Sequence, residues 1–316
     1  MSTQSNAQLN AMPESRVGAQ AVGAPNAVSP NRLMYWSVLR ELWENRAVYI
    51  APVSVACLIV FAFIITLSRL RAKLDTVMMH DVHAQEAVQI PFDVAAALLI
   101  VTAFITAVFY CLDALYGERK DRSILFWKSL PVSDLTTVVS KFAIAMVILP
   151  VVTFGVIVAT HIVMALLSMI LLAGTSLHPL TLLTDLPLVR MWIAMAYAFV
   201  VMSLWYAPIF GWLLIVSGWA PRATFLCAVL PPFAIGAFEK IAFSTNHFAE
   251  FLKYRFFGWY QLAFLQHPHG SAPAMDPLSQ LTPGKFLGTP GVWLGLVVAA
   301  AFLAGAIRMR RYRGPA

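Results

Sequence analysis

The chain has 316 residues, of which 60% are hydrophobic and 12% charged, with a formal net charge of +7. Soluble domains hold about 45–50% apolar and about 25% charged residues, so a chain of mean hydropathy +0.75 has too little polar surface to cover itself in water. This excludes the disordered, collagen-like and disulfide-rich secreted classes, and it makes the positive charge a matter of membrane topology before nucleic acid.

Residues 1–30 are rich in Ala, Ser, Asn, Gln and Pro and lack the basic and apolar segments of a secretory signal. They read as a disordered cytoplasmic tail. Residues 31–47 form an amphipathic helix at the inner membrane interface. Tyr35, Val38, Leu39 and Leu42 make its apolar face, Trp36 and Trp43 its borders, and Ser37, Arg40, Glu41, Glu44 and Asn45 its polar face.

A helix needs about 20 mainly apolar residues to cross the bilayer. Six stretches satisfy this, at about 49–68, 92–115, 142–173, 188–217, 223–243 and 291–307. The expected fold is therefore an all-α integral membrane protein. It has six transmembrane helices, an amphipathic interfacial helix before them, and short outer re-entrant or interfacial helices before the last span. The third and fourth stretches are long enough to require tilt or a kink, with Pro150 and Pro208 as kink sites. Pro231-Pro232 suggests a broken or re-entrant fifth helix. Cys57, Cys111 and Cys227 all lie in apolar runs and read as small buried hydrophobes.

Most of the 22 Lys and Arg fall on the side that holds the N-terminus, the 116–141 loop and the closing RMRRYR. The positive-inside rule then places both termini in the cytoplasm, in a plasma (bacterial inner) membrane. Binding to nucleic acid is not expected.

The loop at 116–141 carries the densest mixed charge, at Glu118, Arg119, Lys120, Asp121 and Arg122. Ile124, Leu125, Phe126 and Trp127 follow, then the Leu130-Pro131 break, then Ser133 as a helix N-cap. A simple connection has no need to display Phe126 and Trp127. They dock either into the membrane interface or into a protein partner. The run from Glu118 to Leu125, the turn Leu130-Pro131-Val132-Ser133 and then Lys141 together resemble the first cytoplasmic loop of the type-2 ABC exporter permeases. Ser123 departs from that pattern, since many members carry Gly there. With the six-span layout, the similarity extends from about residue 32 to 313.

The resemblance implies one half of a dimeric translocation pathway, formed with a second permease subunit as homodimer or heterodimer. A separate cytoplasmic ATPase, which holds ATP and Mg, engages the loop through a short coupling helix. Glu118, Arg119, Asp121, Arg122, Phe126, Trp127, Leu130 and Pro131 would form that contact, with the charges paired at the interface or to Arg40, Glu41 and Glu44. The chain has no P-loop of its own: Ser279 and Phe286 stand where the motif around Gly284-Lys285 needs Gly and Ser or Thr. It is thus read as a non-enzymatic subunit without a cofactor. A non-transporting anchor or sensor is the alternative, and an integral-membrane enzyme, lacking any catalytic motif, the more distant one.

Three further residues are candidates for a pathway or gate. His161 is an ionisable group inside the third span, a functional position unless it is a neutral histidine bonded across helices. Glu239 and Lys240 lie near the outer end of the fifth span, where adjacent positions do not face each other. His80, Asp81, His83, Glu86, His267 and His269 lie in outer loops that nothing holds in register, and no metal site is assigned. The aromatic segment 244–290 should hold an outer helix near 246–265.

Overall fold

The computed structural model describes residues 29–74, 83–129, 132–171, 187–264 and 277–312. Every regular element among them is helical, with one isolated bridge between Phe264 and Leu281. Helix α1 (Pro30–Glu44) precedes α2 (Ala47–Leu74) and α3 (His83–Ala114). The short α4 (Tyr116–Lys120) and α5 (Ser123–Ser129) connect α3 to α6 (Asp134–Ala143). A π-turn (Ile144–Ile148) joins α6 to α7 (Leu149–Leu171), followed by α8 (Leu188–Trp219), α9 (Thr224–Phe243) and α10 (His247–Ala263). A 3₁₀ turn (Pro277–Gln280), α11 (Pro283–Leu287) and α12 (Pro290–Tyr312) complete the chain.

Six of these helical runs are long and apolar enough to cross a membrane: Ala47–Arg69, Ile90–Lys120, Asp134–Ile170, Leu188–Trp219, Thr224–Phe243 and Pro290–Tyr312. The chain is an all-α membrane protein with an additional helix before the first span and short helices before the last. Large apolar side chains such as Leu58, Phe61, Val101, Phe109, Ile170 and Phe233 are exposed along the spans. Exposure of this kind is tolerated when hydrocarbon, and not water, surrounds the helix.

The most enclosed span is α8, which packs against α3, α7, α9, α10 and α12, while α2 packs on α3 and α7. Helices in lipid gain little from apolar burial against each other, so close approach of backbones sets their packing. At Gly211 an added Cβ would lie 3.3 Å from the Ala299 carbonyl and 3.2 Å from Phe302 Cβ, which makes α8 and α12 the tightest pair. Farther along, Gly218 meets Met309, so the two helices run parallel.

Pro208 removes one N–H from the interior of α8. Nearby, the Arg255 side chain of α10 donates to the Trp205 carbonyl and, at 3.3 Å, to the Gly291 carbonyl. Trp205 Nε1 returns a bond to the Arg255 carbonyl at 2.7 Å, and the guanidinium lies 4.5 Å from the Trp205 ring centre. Tyr206 donates to the Phe256 carbonyl at 2.7 Å, and Phe264 meets Tyr197. Helix α10 therefore runs antiparallel along α8, as the segment near 246–265 was expected to contain a helix. A buried arginine is its main fastening. Gly295 makes room for it, since a Cβ there would overlap the guanidinium.

Three expectations are corrected. Pro231 and Pro232 lie within one uninterrupted helix, α9, and do not break it. Cys57 is exposed and Cys227 half-buried, so only Cys111 is an enclosed thiol. The third correction concerns α1. Its bundle-facing side includes Ser37 and Glu41, both buried, while Tyr35, Trp36 and Trp43 are exposed. Part of the polar face of this interfacial helix thus points into the protein, where Arg40 and Glu41 meet charges on other helices.

Candidate functional site

At one end of the bundle, α1, the α3–α5 connection, the start of α6 and the last turns of α12 converge on an ion cluster. Lys141 Nζ lies 2.7 Å from Glu41 Oε1 and 3.1 Å from Glu118 Oε1, with only 2% of its side chain exposed. Arg40 Nη2 reaches Glu41 at 2.8 Å and Glu118 at 3.7 Å, and its Nε lies 3.6 Å from Glu44. Arg310 pairs with Glu118 and, at 3.1 Å, with Asp134. Tyr110 donates to Glu41 Oε2 at 3.1 Å, and Asn45 Nδ2 to the same oxygen at 3.3 Å. Burial works to raise the Glu41 carboxyl, but Lys141 and Arg40 outweigh it and hold the group below the usual carboxylate range.

The local chain explains how these groups arrive. Ser133 Oγ accepts from Thr136 N at 3.0 Å, the N-cap its sequence position suggests. The cap starts α6, which buries Thr137, Val138, Ser140 and Lys141 on one side. Behind the cluster, Ser217 Oγ near the end of α8 accepts from Leu115 N at 3.0 Å and Tyr116 N at 2.9 Å, where α3 gives way to α4. Arg119 completes this junction by donating to the Gly218 carbonyl at 2.6 Å and the Ala220 carbonyl at 3.3 Å. A guanidinium at a helix C-terminus satisfies carbonyls that have no partner within the helix.

Helix α5 sits on this base. At seven residues it is too short to persist alone. Two residues one turn apart hold it: Ile124 is buried, and Trp127 lies with its ring centre 4.0 Å from the Arg40 guanidinium. Leu125 and Phe126 face outward, 60% and 61% exposed. The turn before the helix places Arg122 at φ 57°, a left-handed conformation unfavourable for a residue with a Cβ.

The sequence-derived candidates thus separate. Glu118 and Arg119 are buried members of the cluster and its junction: Glu118 lies 3.7 Å from Arg40 of α1, and Arg119 caps carbonyls at the end of α8. Asp121 and Arg122 are exposed on the connection, Phe126 projects from it and Trp127 is half-buried beneath it. Leu130 and Pro131 lie outside the described residues, as do His80, Asp81, His267 and His269, and the side chains of His83 and Glu86. Sequence reasoning missed Lys141, Asp134, Tyr110 and Arg310 as members of one site. Their signal was faint: Lys141 is a charge between Ser140 and Phe142 where a span begins, and Arg310 reads as one of several terminal cations.

The gate candidates do not come together. His161 is fully buried, with Nε2 3.1 Å from the Phe92 carbonyl and Nδ1 accepting from Trp192 Nε1 at 3.2 Å. Those bonds fit a neutral ring with its proton on Nε2, a cross-link among α3, α7 and α8. Glu239 accepts from Thr245 Oγ1 at 2.7 Å and from the backbone N–H groups of His247 and Phe248, both at 2.8 Å. It secures the start of α10, while Lys240 is exposed and makes no pair with it among the described contacts.

No protein-family model matches this sequence, and neither a curated protein nor a solved structure matches it.

Proposed function

We propose that the chain is the membrane subunit of an ATP-driven ABC exporter, one half of a homodimeric or heterodimeric pathway. A separate ATPase, holding ATP and Mg, docks on α5 from the cytoplasm. In this reading both termini are cytoplasmic and the membrane is the bacterial inner membrane. The observation that carries it is the mounting of α5. Its exposed Leu125-Phe126 pair rides on a short helix tied by Ile124, Trp127 and Arg40 to an ion cluster that joins α1, α4, α6 and α12. A push on such a helix reaches several spans at once, since bonded charges buried in low dielectric transmit force without slack. A purely interfacial loop has no need for this base.

The test is reconstitution in nanodiscs with the ABC ATPase from a neighbouring reading frame. Leu125→Ala with Phe126→Ala should weaken ATPase binding at least tenfold, as loss of an apolar hot spot does. The thermal stability of the permease should stay unchanged, because both side chains face outward. Equal binding by parent and variant, or no ATPase binding at all, refutes the reading.

A further inference from the structure

The third span is interrupted at a defined place. Leu149 N–H donates to the Ile144 carbonyl, five residues back, whereas Ile144 N–H donates to Ser140 in the ordinary α pattern. One residue is therefore held in excess between α6 and α7. A π-turn has poorer geometry than the α-helix it interrupts and is retained mostly where it serves a purpose.

Two features fix its position. On one side stands Pro150, which has no N–H to offer the Ala145 carbonyl. The turn cannot advance past it by exchanging one hydrogen bond for the next. On the other side stands Lys141, locked to Glu41 and Glu118. Were the excess residue to move toward α6, each residue it passed would turn by about 100° and shift by about 1.5 Å. Lys141 would then swing out of the ion cluster. Beside the turn is an apolar cavity of about 30 Å³, lined by Ala145, Leu149 and Pro150 on one wall and Ala103, Ala107 and Tyr206 on the others. Ala103 and Ala107 face the turn across this space, which gives Ala145 and Leu149 some room to shift.

We infer that the π-turn Ile144–Ile148 is a latched register switch. Its extra residue is trapped between a proline and a buried lysine, and release of Lys141 lets it travel toward α6, rotating the residues between. The ion cluster is the latch. This goes beyond the docking role proposed above, and its test involves no ATPase.

The experiment places nitroxide labels at Val147 and Val163, both exposed on the same span, with Cys57 and Cys227 replaced by Ala. Distances are read by pulsed electron resonance on the full chain in nanodiscs. The parent should give one distance, near the ~24 Å expected for that separation along a helix. Lys141→Met should add a second population, shifted by several ångströms. Deletion of Met146 removes the excess residue, and the deleted chain should give one distance whether position 141 is Lys or Met. If Lys141→Met does not fold, Glu41→Gln, which keeps the side chain's size, takes its place. A distance unchanged by both substitutions overturns the inference. So does a shift that persists after the deletion, since it would then arise elsewhere. Failure of the parent chain to bind the ATPase in the separate assay above, with the switch intact, would instead count against the docking site alone.

Discussion

Glu118→Ala is the perturbation that most directly examines the ion cluster. In the parent, three cations (Arg40, Lys141 and Arg310) face four carboxylates (Glu41, Glu44, Glu118 and Asp134). Removing one partner of a buried pair costs about 3–5 kcal/mol, mostly because a charge is left without compensation. Here no cation is left alone. Lys141 keeps Glu41 at 2.7 Å, Arg40 keeps Glu41 at 2.8 Å, and Arg310 keeps Asp134 at 3.1 Å. The loss therefore belongs at the lower end, about 3 kcal/mol. At about 2–4 °C per kcal/mol in chains of a few hundred residues, Tm should fall by about 6–12 °C. The assay is thermal unfolding in nanodiscs, repeated for Arg310→Ala and the double variant. Groups bonded directly to each other should show a coupling energy between about 0.5 and 3 kcal/mol. A loss below about 1 kcal/mol, the range of solvated surface pairs, would mean that water reaches these charges and that the cluster does not bind the helices together.

Two further substitutions check the backbone arguments. Arg122→Gly should raise stability by about 0.5–1 kcal/mol, since relief of the left-handed strain exceeds the entropy that glycine adds to the unfolded chain; a lower Tm would show that the Arg122 side chain matters more than its φ. Gly295→Ala should cost about 2–3 kcal/mol by displacing the Arg255 guanidinium from the Trp205 carbonyl and ring. Gly284→Ala, with open space around it, is the control and should stay within about 0.5 kcal/mol; equal Tm values for the two would show that Arg255 does not fasten α10.

Hydropathy read the spans well because each is a contiguous run, and the bilayer sets its length. The N-cap at Ser133 was equally local and equally legible. What escaped was whatever depended on partners far along the chain. Glu41 and Lys141 are 100 residues apart and Glu118 and Arg310 are 192 apart, and no periodicity connects them. Helix α1 shows the difficulty clearly. Its polar face was matched to the loop charges, and Arg40 does lie 3.7 Å from Glu118, yet Glu41 finds Lys141, which no local pattern points to. Glu239 and His161 were singled out from the sequence as candidates for a pathway or gate. The bonds each makes are to distant or non-periodic partners: Glu239 to the start of α10, and His161 to Phe92 and Trp192 on two other spans. The proline pair in α9 was overread, since neighbouring helix turns can absorb lost N–H groups within a membrane.

The separation of Glu118 and Arg310 also bears on biogenesis. During synthesis at about 5–20 residues per second, the 192 residues between them take about 10–40 s to appear. Until Arg310 arrives, Arg40 and Lys141 are the described cations that face Glu41, Glu44 and Glu118, and Asp134 waits for its partner. The nascent bundle then lacks the Arg310 partner of Glu118 and Asp134. Insertion of the final helix brings the third cation, Arg310, so its pairing with Glu118 and Asp134 records that the last span has arrived. A chain stalled after the fifth span would keep its carboxylates short of partners and accessible to water. That gives a quality-control machinery a chemical difference by which to tell an unfinished subunit from a finished one.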